Sequence, residues 1–329
     1  MKPLAAAFRP YQWAPTTLDL ARRAGIDPVE LIRFDGNVPP LPLPSSRPAT
    51  VAAALARVNE YPRAFYTILT DAIAEYAGVA PENIVLGAGA DDLILLVTRA
   101  FAGPGDRVAI ANDPTYPMFQ IAVWVAGAEI DDHDPVLTIC CRPNNPTGEL
   151  GELPTARPLV VDEAYFEYSR DTAAGLIEEG VIVLRTFSKV FGLAGARVGY
   201  ALAGRDVAAE LNKRQHPAPL STLSAALAIA ALRSSKSGNA WPTGCARWAS
   251  SPGRRMRTSS TSRSTSRSSS PDGSSSSGSQ CARSGAESGS RFATRTTTNV
   301  CWARCNKVRP WRRIHIAGGF SRSSRRHSS

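Results

Sequence analysis

After Leu232 the chain contains no leucine. Its remaining 97 residues, of 329 in all, hold 26 Ser and 17 Arg, and this limits what can fold. A segment with so little to bury cannot offset the entropy of ordering its backbone. Residues 233–329 are therefore expected to form a disordered, low-complexity tail. Before the break, apolar residues recur with clear periodicity. The packed structure is expected within residues 1–232.

Charge divides at the same place. The whole chain carries a formal net charge of +10. Residues 1–232 hold 19 Lys and Arg against 26 Asp and Glu, a net −7; the tail holds 19 against 2, a net +17. The basic character belongs to the tail alone, so the usual inference from a basic protein to an acidic partner does not reach the body. Three readings of the tail are open. It could bind nucleic acid through its charge, it could be a solvated linker, or it could be an out-of-frame stretch of a GC-rich gene. Wrong-frame codons in such a gene give mainly Arg, Ser, Ala, Gly, Pro and Thr, with stray Trp and Cys. Four of the six Cys and four of the six Trp lie there without pattern. Disordered tails are poor in both, which favours the third reading over nucleic-acid binding. Cys301, Cys305, His315 and His327 follow no standard zinc spacing, and no metal site is expected. No apolar run approaches the roughly 20 residues of a membrane helix, and the apolar stretch at the N-terminus is too brief for a signal peptide. A cytoplasmic protein without a membrane partner is expected.

Within the body, short apolar runs rich in β-branched residues predict strands at 84–87, 107–111, 128–130, 137–141, 158–162, 181–185 and 198–202. Most are apolar on both faces, as in a sheet covered by helices on both sides. Helical patterns at 49–59, 61–78, around Leu93 to Phe101, at 117–126 and at 221–232 alternate with them. The expected fold class is α/β with a mainly parallel seven-stranded sheet. Residues 1–45, with Pro39, Pro40, Pro42 and Pro44, read as an extended N-terminal arm. Residues 46–232 read as one large domain.

Ligands of such sheets bind beyond the carboxyl ends of the strands, and four motifs fall there. Gly87-Ala88-Gly89-Ala90-Asp91-Asp92 turns from a strand into a helix. The glycines permit a tight turn, and a helix N-terminus offers N–H groups to an anion. A plain strand–helix connection would look the same, since Asp91 and Asp92 complement the helix dipole without a ligand. Asn144-Asn145-Pro146-Thr147-Gly148 is a turn cluster and could be only that. Asp162, in Val160-Val161-Asp162-Glu163-Ala164-Tyr165, puts a carboxylate at a strand end. It could hold a cationic ring nitrogen, and a metal site or a helix cap fits equally well. Thr186-Phe187-Ser188-Lys189, with Arg197 eight residues on, sets a lysine among apolar residues. A lysine there can act as an amine nucleophile, and the hydroxyl and guanidinium beside it can hold a phosphate.

The four motifs, in this order, resemble those of the class I/II aminotransferases, the fold-type-I enzymes that use pyridoxal 5'-phosphate. Within that family the resemblance is strongest to the histidinol-phosphate aminotransferases, over about residues 25–232. It implies the large domain of the pyridoxal-phosphate-dependent transferase fold at 46–232. It implies transamination between an amino donor, nominally histidinol phosphate in histidine biosynthesis, and a 2-oxo acid, 2-oxoglutarate, in a homodimer. Related outcomes on the same fold are an aromatic aminotransferase, a threonine-phosphate decarboxylase or an inactive cofactor-binding remnant.

Residue by residue, the resemblance implies that Lys189 joins the cofactor as an aldimine and later shuttles a proton. Asp162 would pair with the pyridine nitrogen. Tyr165 and Asn145 would bond the phenolic oxygen, and Tyr116 would stack on the ring. Ala90 and Asp91 would bind the phosphate through backbone N–H groups, with Thr186, Ser188 and Arg197 as its side-chain ligands. Tyr61 would reach the phosphate across the dimer interface. For Tyr61 and Tyr116 the alternative is plain packing. Asn37 fits the asparagine of an arm that closes over the substrate, while a tyrosine often found a few residues later is replaced by Leu41 or Leu43. His133, His216 and Trp124 match no role and read as surface or core residues.

Two departures stand out. The spacer from Asn145 to Asp162 is short, which implies a trimmed connection. The family's small domain, which supplies an arginine in an Arg-Ile/Val strand for the substrate, has no counterpart in residues 233–329. The small domain is therefore expected to be incomplete. Exposed internal surface, poor solubility and very weak or absent transamination are expected even where cofactor binds.

Overall fold

The computed structural model describes residues 4–31, 33, 35–39 and 48–236. The expectations placed on Leu41, Leu43, the prolines at 40, 42 and 44, the Cys and His of the tail, and the disorder of 237–329 lie outside the described residues. The described residues fall in one compact unit.

Seven strands form one sheet: β1 (Ile84–Gly87), β2 (Arg107–Ile110), β3 (Glu129–Ile130), β4 (Leu137–Cys141), β5 (Leu159–Asp162), β6 (Val181–Thr186) and β7 (Gly199–Leu202). Their order is β1-β7-β6-β5-β4-β2-β3. The pairs among β6, β5, β4, β2 and β3 are parallel, whereas β7 is antiparallel to both β6 and β1. All seven expected strands are present. The reversal of β7 matters for function, because its first residue lies on the edge where the other strands end.

Alternation along the strands splits the core into two layers. Val85, Val108, Leu137, Ile139, Val160, Ile182, Leu184 and Ala201 face α4 (Ala90–Phe101), α5 (Met118–Ala126) and α7 (Arg205–Arg214). Ile84, Leu86, Cys140, Leu159, Val161, Val181, Val183 and Tyr200 face α3 (Arg63–Ala77) and α8 (Thr222–Lys236). Central strands buried on both faces explain their unbroken apolar character. Two ties fix α8: the Leu220 N–H donates to Tyr66 Oη at 2.9 Å, and Thr222 Oγ1 donates to the Glu60 carbonyl at 3.1 Å. This helix runs to Lys236, four residues past the compositional break. Residues 142–158 join β4 to β5 without a helix, so the trimmed connection is an extended one whose Leu153 packs on the core.

Three helices depart from the sequence expectation, the four-residue Phe166–Ser169 and two longer ones. The arm contains α1 (Thr17–Ala24), started by a reciprocal Thr16–Asp19 capping box and stopped by Gly25 at φ +67°. Only Ala21 in it is buried, so no apolar stripe announced it. In α7 only Ala208 and Leu211 are buried, which is also too little periodicity to read. The remaining helices are α2 (Pro48–Leu55) and the short α6 (Phe166–Ser169).

Candidate active site

One edge of the sheet gathers the polar residues. The carboxyl ends of β1, β4, β5 and β6 lead into the 87–92 turn, the 142–149 loop, Asp162 and the 186–189 loop. Because β7 is reversed, Arg197, two residues before it, reaches the same edge.

Asp162 is 3% exposed, and its Oδ1 accepts the Ala164 N–H at 2.9 Å. Burial pushes its carboxyl up to about 7; Asp91 and Glu163 add to the rise, while the Ala164 N–H and Lys189 oppose it. Burial also lowers the Lys189 ammonium, with Asp162 and Asp91 pulling it back up and Arg197 lowering it further. An acid and an amine, each destabilised in its charged form, thus face one another electrostatically. Lys189 Nζ lies 5.4 Å from the Tyr165 ring centroid and donates to the Gly36 carbonyl at 3.3 Å. Tyr165 is buried, and its Oη accepts Asn37 Nδ2 at 3.1 Å. Asn37 of the arm and Tyr165 of the sheet edge therefore meet directly.

Beside this pair lies an anion cradle. Helix α4 begins at Ala90, so the N–H groups of its first turn have no partner within the helix. Thr186 and Ser188 are buried, with Thr186 Oγ1 donating to Ser188 Oγ at 3.0 Å. Arg197 contacts Ser188 Oγ at 3.5 Å and Asp91 Oδ2 at 3.0 Å. Tyr116 donates to Asp91 Oδ1 at 2.9 Å and packs edge-on against Phe119 and Tyr11. Gly89, at φ +87°, lies so close that a Cβ there would fall 2.5 Å from Arg197 Nη2. A Cβ on Gly199 would fall 2.6 Å from the Gly89 carbonyl carbon. Gly199→Ala is accordingly expected to push β7 off the 87–92 turn. The cost is about 1–3 kcal/mol of stability by overpacking, together with weaker binding of a phosphorylated ligand. Urea unfolding and ligand titration would show both, and an unchanged protein would remove the close-packing account.

Of the sequence candidates, Lys189, Asp162, Tyr165, Asn37, Tyr116, Asp91, Ala90, Thr186, Ser188 and Arg197 come together on this edge. Asn145 lies half-buried in the neighbouring loop. Tyr61 does not join them; at 89% exposure it stands on the surface before α3. His133 and His216 are exposed, and Trp124 packs edge-on with Phe8. Four residues have structural roles that the sequence does not show. Asn144 clamps two loops by contacts to Thr115, Pro114 and Thr147. Asp92 accepts the Ala88 N–H at 2.9 Å and shapes the glycine turn. Glu163 and Arg185 form a buried ion pair. An arginine inside an apolar strand was the one available signal for that pair.

The family model for aminotransferase class I and II matches residues 30–133 and 128–247. The chain belongs to the class I and II aminotransferases. Histidinol-phosphate aminotransferase of Thermoanaerobacter pseudethanolicus is 35% identical over 233 residues, covering 61% of this chain and 66% of that protein. Histidinol-phosphate aminotransferase 1 of Dechloromonas aromatica is 34% identical over 260 residues, 69% of this chain and 71% of that one. This aminotransferase chain therefore spans about two thirds of the length of these curated relatives, 66% and 71%. Among solved structures it is similar to histidinol-phosphate aminotransferase from Sinorhizobium meliloti in complex with pyridoxal-5'-phosphate. The TM-score is 0.59 at 26% identity, covering 70% of this chain and 73% of that one.

Proposed function

We propose that this chain binds pyridoxal 5'-phosphate in the cofactor site of an aminotransferase, with histidinol phosphate and 2-oxoglutarate as the nominal pair of a transamination that this chain runs far below the usual enzymatic rate. One observation carries the proposal: the buried Asp162 and the half-buried Lys189 share a sheet edge with an anion cradle. The donor set suits a phosphorylated aldehyde. A helix N-terminus, two hydroxyls and a guanidinium favour a phosphate, and a desolvated amine favours a carbonyl. The relatives' names support the substrate, and Asn37 at Tyr165 supports an arm that contacts it.

When bound, the cofactor supplies an aldehyde that captures amines and a ring that takes up the electron pair released at the substrate carbon. The chain's residues do the rest. Lys189, whose ammonium is disfavoured by burial, would serve as the amine nucleophile and afterwards accept and return a proton. Asp162 would keep a proton on the ring nitrogen. Tyr165 and Asn145 would donate to the phenolic oxygen, and Tyr116 would cover one ring face. Burial and Asp91 both hold the Tyr116 hydroxyl in its neutral form, so it remains a donor. Ala90, Asp91, Thr186, Ser188 and Arg197 would anchor the phosphate.

Residues 46–232 serve in this reading as the large cofactor domain, and residues 233–329 stand where relatives carry the small one. Tyr61, fully available at the surface, would complete the phosphate site of a second copy in a homodimer. Among the described residues no helix is long and apolar enough to cross a membrane, which accords with a cytoplasmic enzyme. Comparing pyridoxal 5'-phosphate with pyridoxal tests the anchor. The phosphate ester should bind more tightly, and Arg197→Met should remove about 10- to 100-fold of that advantage, the worth of a charge-assisted hydrogen bond. Equal affinity for both compounds in the unaltered chain would defeat the proposal.

A further inference from the structure

The β5–β6 ladder ends where the chemistry begins. Asp162 pairs with Leu184, and the Glu163 N–H donates to the Leu184 carbonyl at 2.8 Å. Past that point a side-chain cluster on the α3 and α8 face takes over. Arg185 Nε and Nη2 donate to Glu163 Oε2 at 3.1 and 2.9 Å. Thr172 Oγ1 donates to the same oxygen at 2.9 Å, and the Ala173 N–H donates to Oε1 at 2.6 Å. Arg185 Nη2 also donates to Thr172 Oγ1 at 2.8 Å. The Phe166 ring lies 3.7 Å from the guanidinium carbon. The Arg185 and Glu163 side chains are 2% and 1% exposed.

We propose that the Glu163–Arg185 ion pair is a positioning latch, which holds the turn bearing Asp162 and Tyr165 in register with the loop bearing Lys189. A buried ion pair adds little stability over an apolar pair of the same volume. What it adds is geometry: two guanidinium N–H groups converge on Oε2 while the Ala173 N–H holds Oε1, so the carboxylate is fixed in both distance and orientation. Glu163 adjoins Asp162 and lies two residues before Tyr165, and Arg185 lies four residues before Lys189. A shift at the latch therefore moves both sides of the site at once, and a displacement of about 1 Å in such a site can cost 10²-fold in rate. Neither latch residue touches the reacting groups; they act through Asp162 and Lys189. The purpose of the latch rests on the proposed cofactor site, whereas its test needs no cofactor.

The test reads the Lys189 amine in the full cofactor-free chain. Acetic anhydride labelling across pH, followed by peptide mass analysis, gives the midpoint of its protonation. The charged and titratable groups that act on Lys189 are Asp162, Asp91, Arg197 and Cys141, with the Tyr165 ring and the Gly36 carbonyl also against it. Arg185→Lys keeps the charge and loses the fork. Thr172→Val is neutral and sits at the exposed end of the cluster, where folding is least threatened. With the Asp162 turn less firmly held, its attraction for the ammonium weakens. The midpoint should fall by about 0.5 pH unit in Arg185→Lys and by less in Thr172→Val. Leu69→Ala, in the same core layer, should lower stability and leave the midpoint in place. Should Arg185→Lys fail to fold, Thr172→Val decides the matter. Midpoints equal to the unaltered chain in every folded latch variant, or an equal shift in Leu69→Ala, would overturn the latch. Failure of the unaltered chain to bind pyridoxal 5'-phosphate would defeat the functional proposal and leave the labelling result standing.

Discussion

Asp162→Asn is expected to make the cofactor-free chain more stable and the loaded chain nearly inactive. The carboxyl titrates at about 7 in the fold against an ordinary 3.8. An acid whose folded pKa is raised favours the fold only while it is protonated. Its contribution is therefore intact below about pH 4, is lost as pH rises towards 7, and becomes a full penalty above that. At pH 8 the neutral amide removes this penalty, for a gain of roughly 2–4 kcal/mol. At pH 4 the gain should shrink to about 0.5 kcal/mol, because the carboxyl is then protonated in the fold and roughly half protonated in the unfolded chain. Urea unfolding at the two pH values reads this difference directly. Function should move the other way. Without a carboxylate to stabilise charge on the ring nitrogen, the residual amino transfer of the unaltered chain should drop on the order of a further 10²–10³-fold or more. A variant equally active, or no more stable at pH 8 than at pH 4, would show that Asp162 does not hold the burial and role assigned to it.

The second expectation concerns turnover in the unaltered chain. Residues 1–232 supply every cofactor contact assigned above, whereas residues 233–329 contain no leucine and a single Arg-Ile pair, Arg313-Ile314, set among Arg, Ser and Gly rather than in a leucine-rich domain. Cofactor should therefore bind while the amino-transfer half-reaction with histidinol phosphate runs at least about 10³-fold below the usual enzymatic range of 1–10³ per second. On this expectation the limit lies in positioning the substrate, not in capturing the cofactor. A single-turnover measurement of the bound cofactor's absorbance change separates the two. Full-speed turnover would mean that the tail builds a substrate pocket after all. The coding DNA offers an independent check. Translation of another frame beyond the Leu232 codon should give a leucine-rich segment with an Arg-Ile/Val strand, and stops throughout both frames would refute an out-of-frame origin.

Sequence legibility followed burial. Strands such as β4, β5 and β6 are apolar on both faces and were readable at once. The Ser188-Lys189 loop was readable because polar residues at the end of an apolar strand demand a reason. Helices α1 and α7 were not, since one or two buried residues give no stripe. The sequence also could not show that β7 runs backwards, which is what brings Arg197 to Ser188 and Asp91. Asn144 looked like turn chemistry, yet its side chain is the clamp between two loops. Glu163 was hidden beside the more conspicuous Asp162, and only the structure pairs it with Arg185 on the far face of the sheet. The dimer role of Tyr61 depends on a second copy and cannot be read from one chain.

Everything functional depends on the Lys189 amine and the buried Asp162 carboxyl sharing one edge of the sheet. The most direct test adds pyridoxal 5'-phosphate to the full chain, reduces with borohydride and maps the fixed cofactor by peptide mass. The chain offers five lysines, at positions 2, 189, 213, 236 and 307. The cofactor should be fixed on Lys189 alone, and Lys189→Ala should carry none. Label spread over the other four, or undiminished in Lys189→Ala, would contradict the assignment.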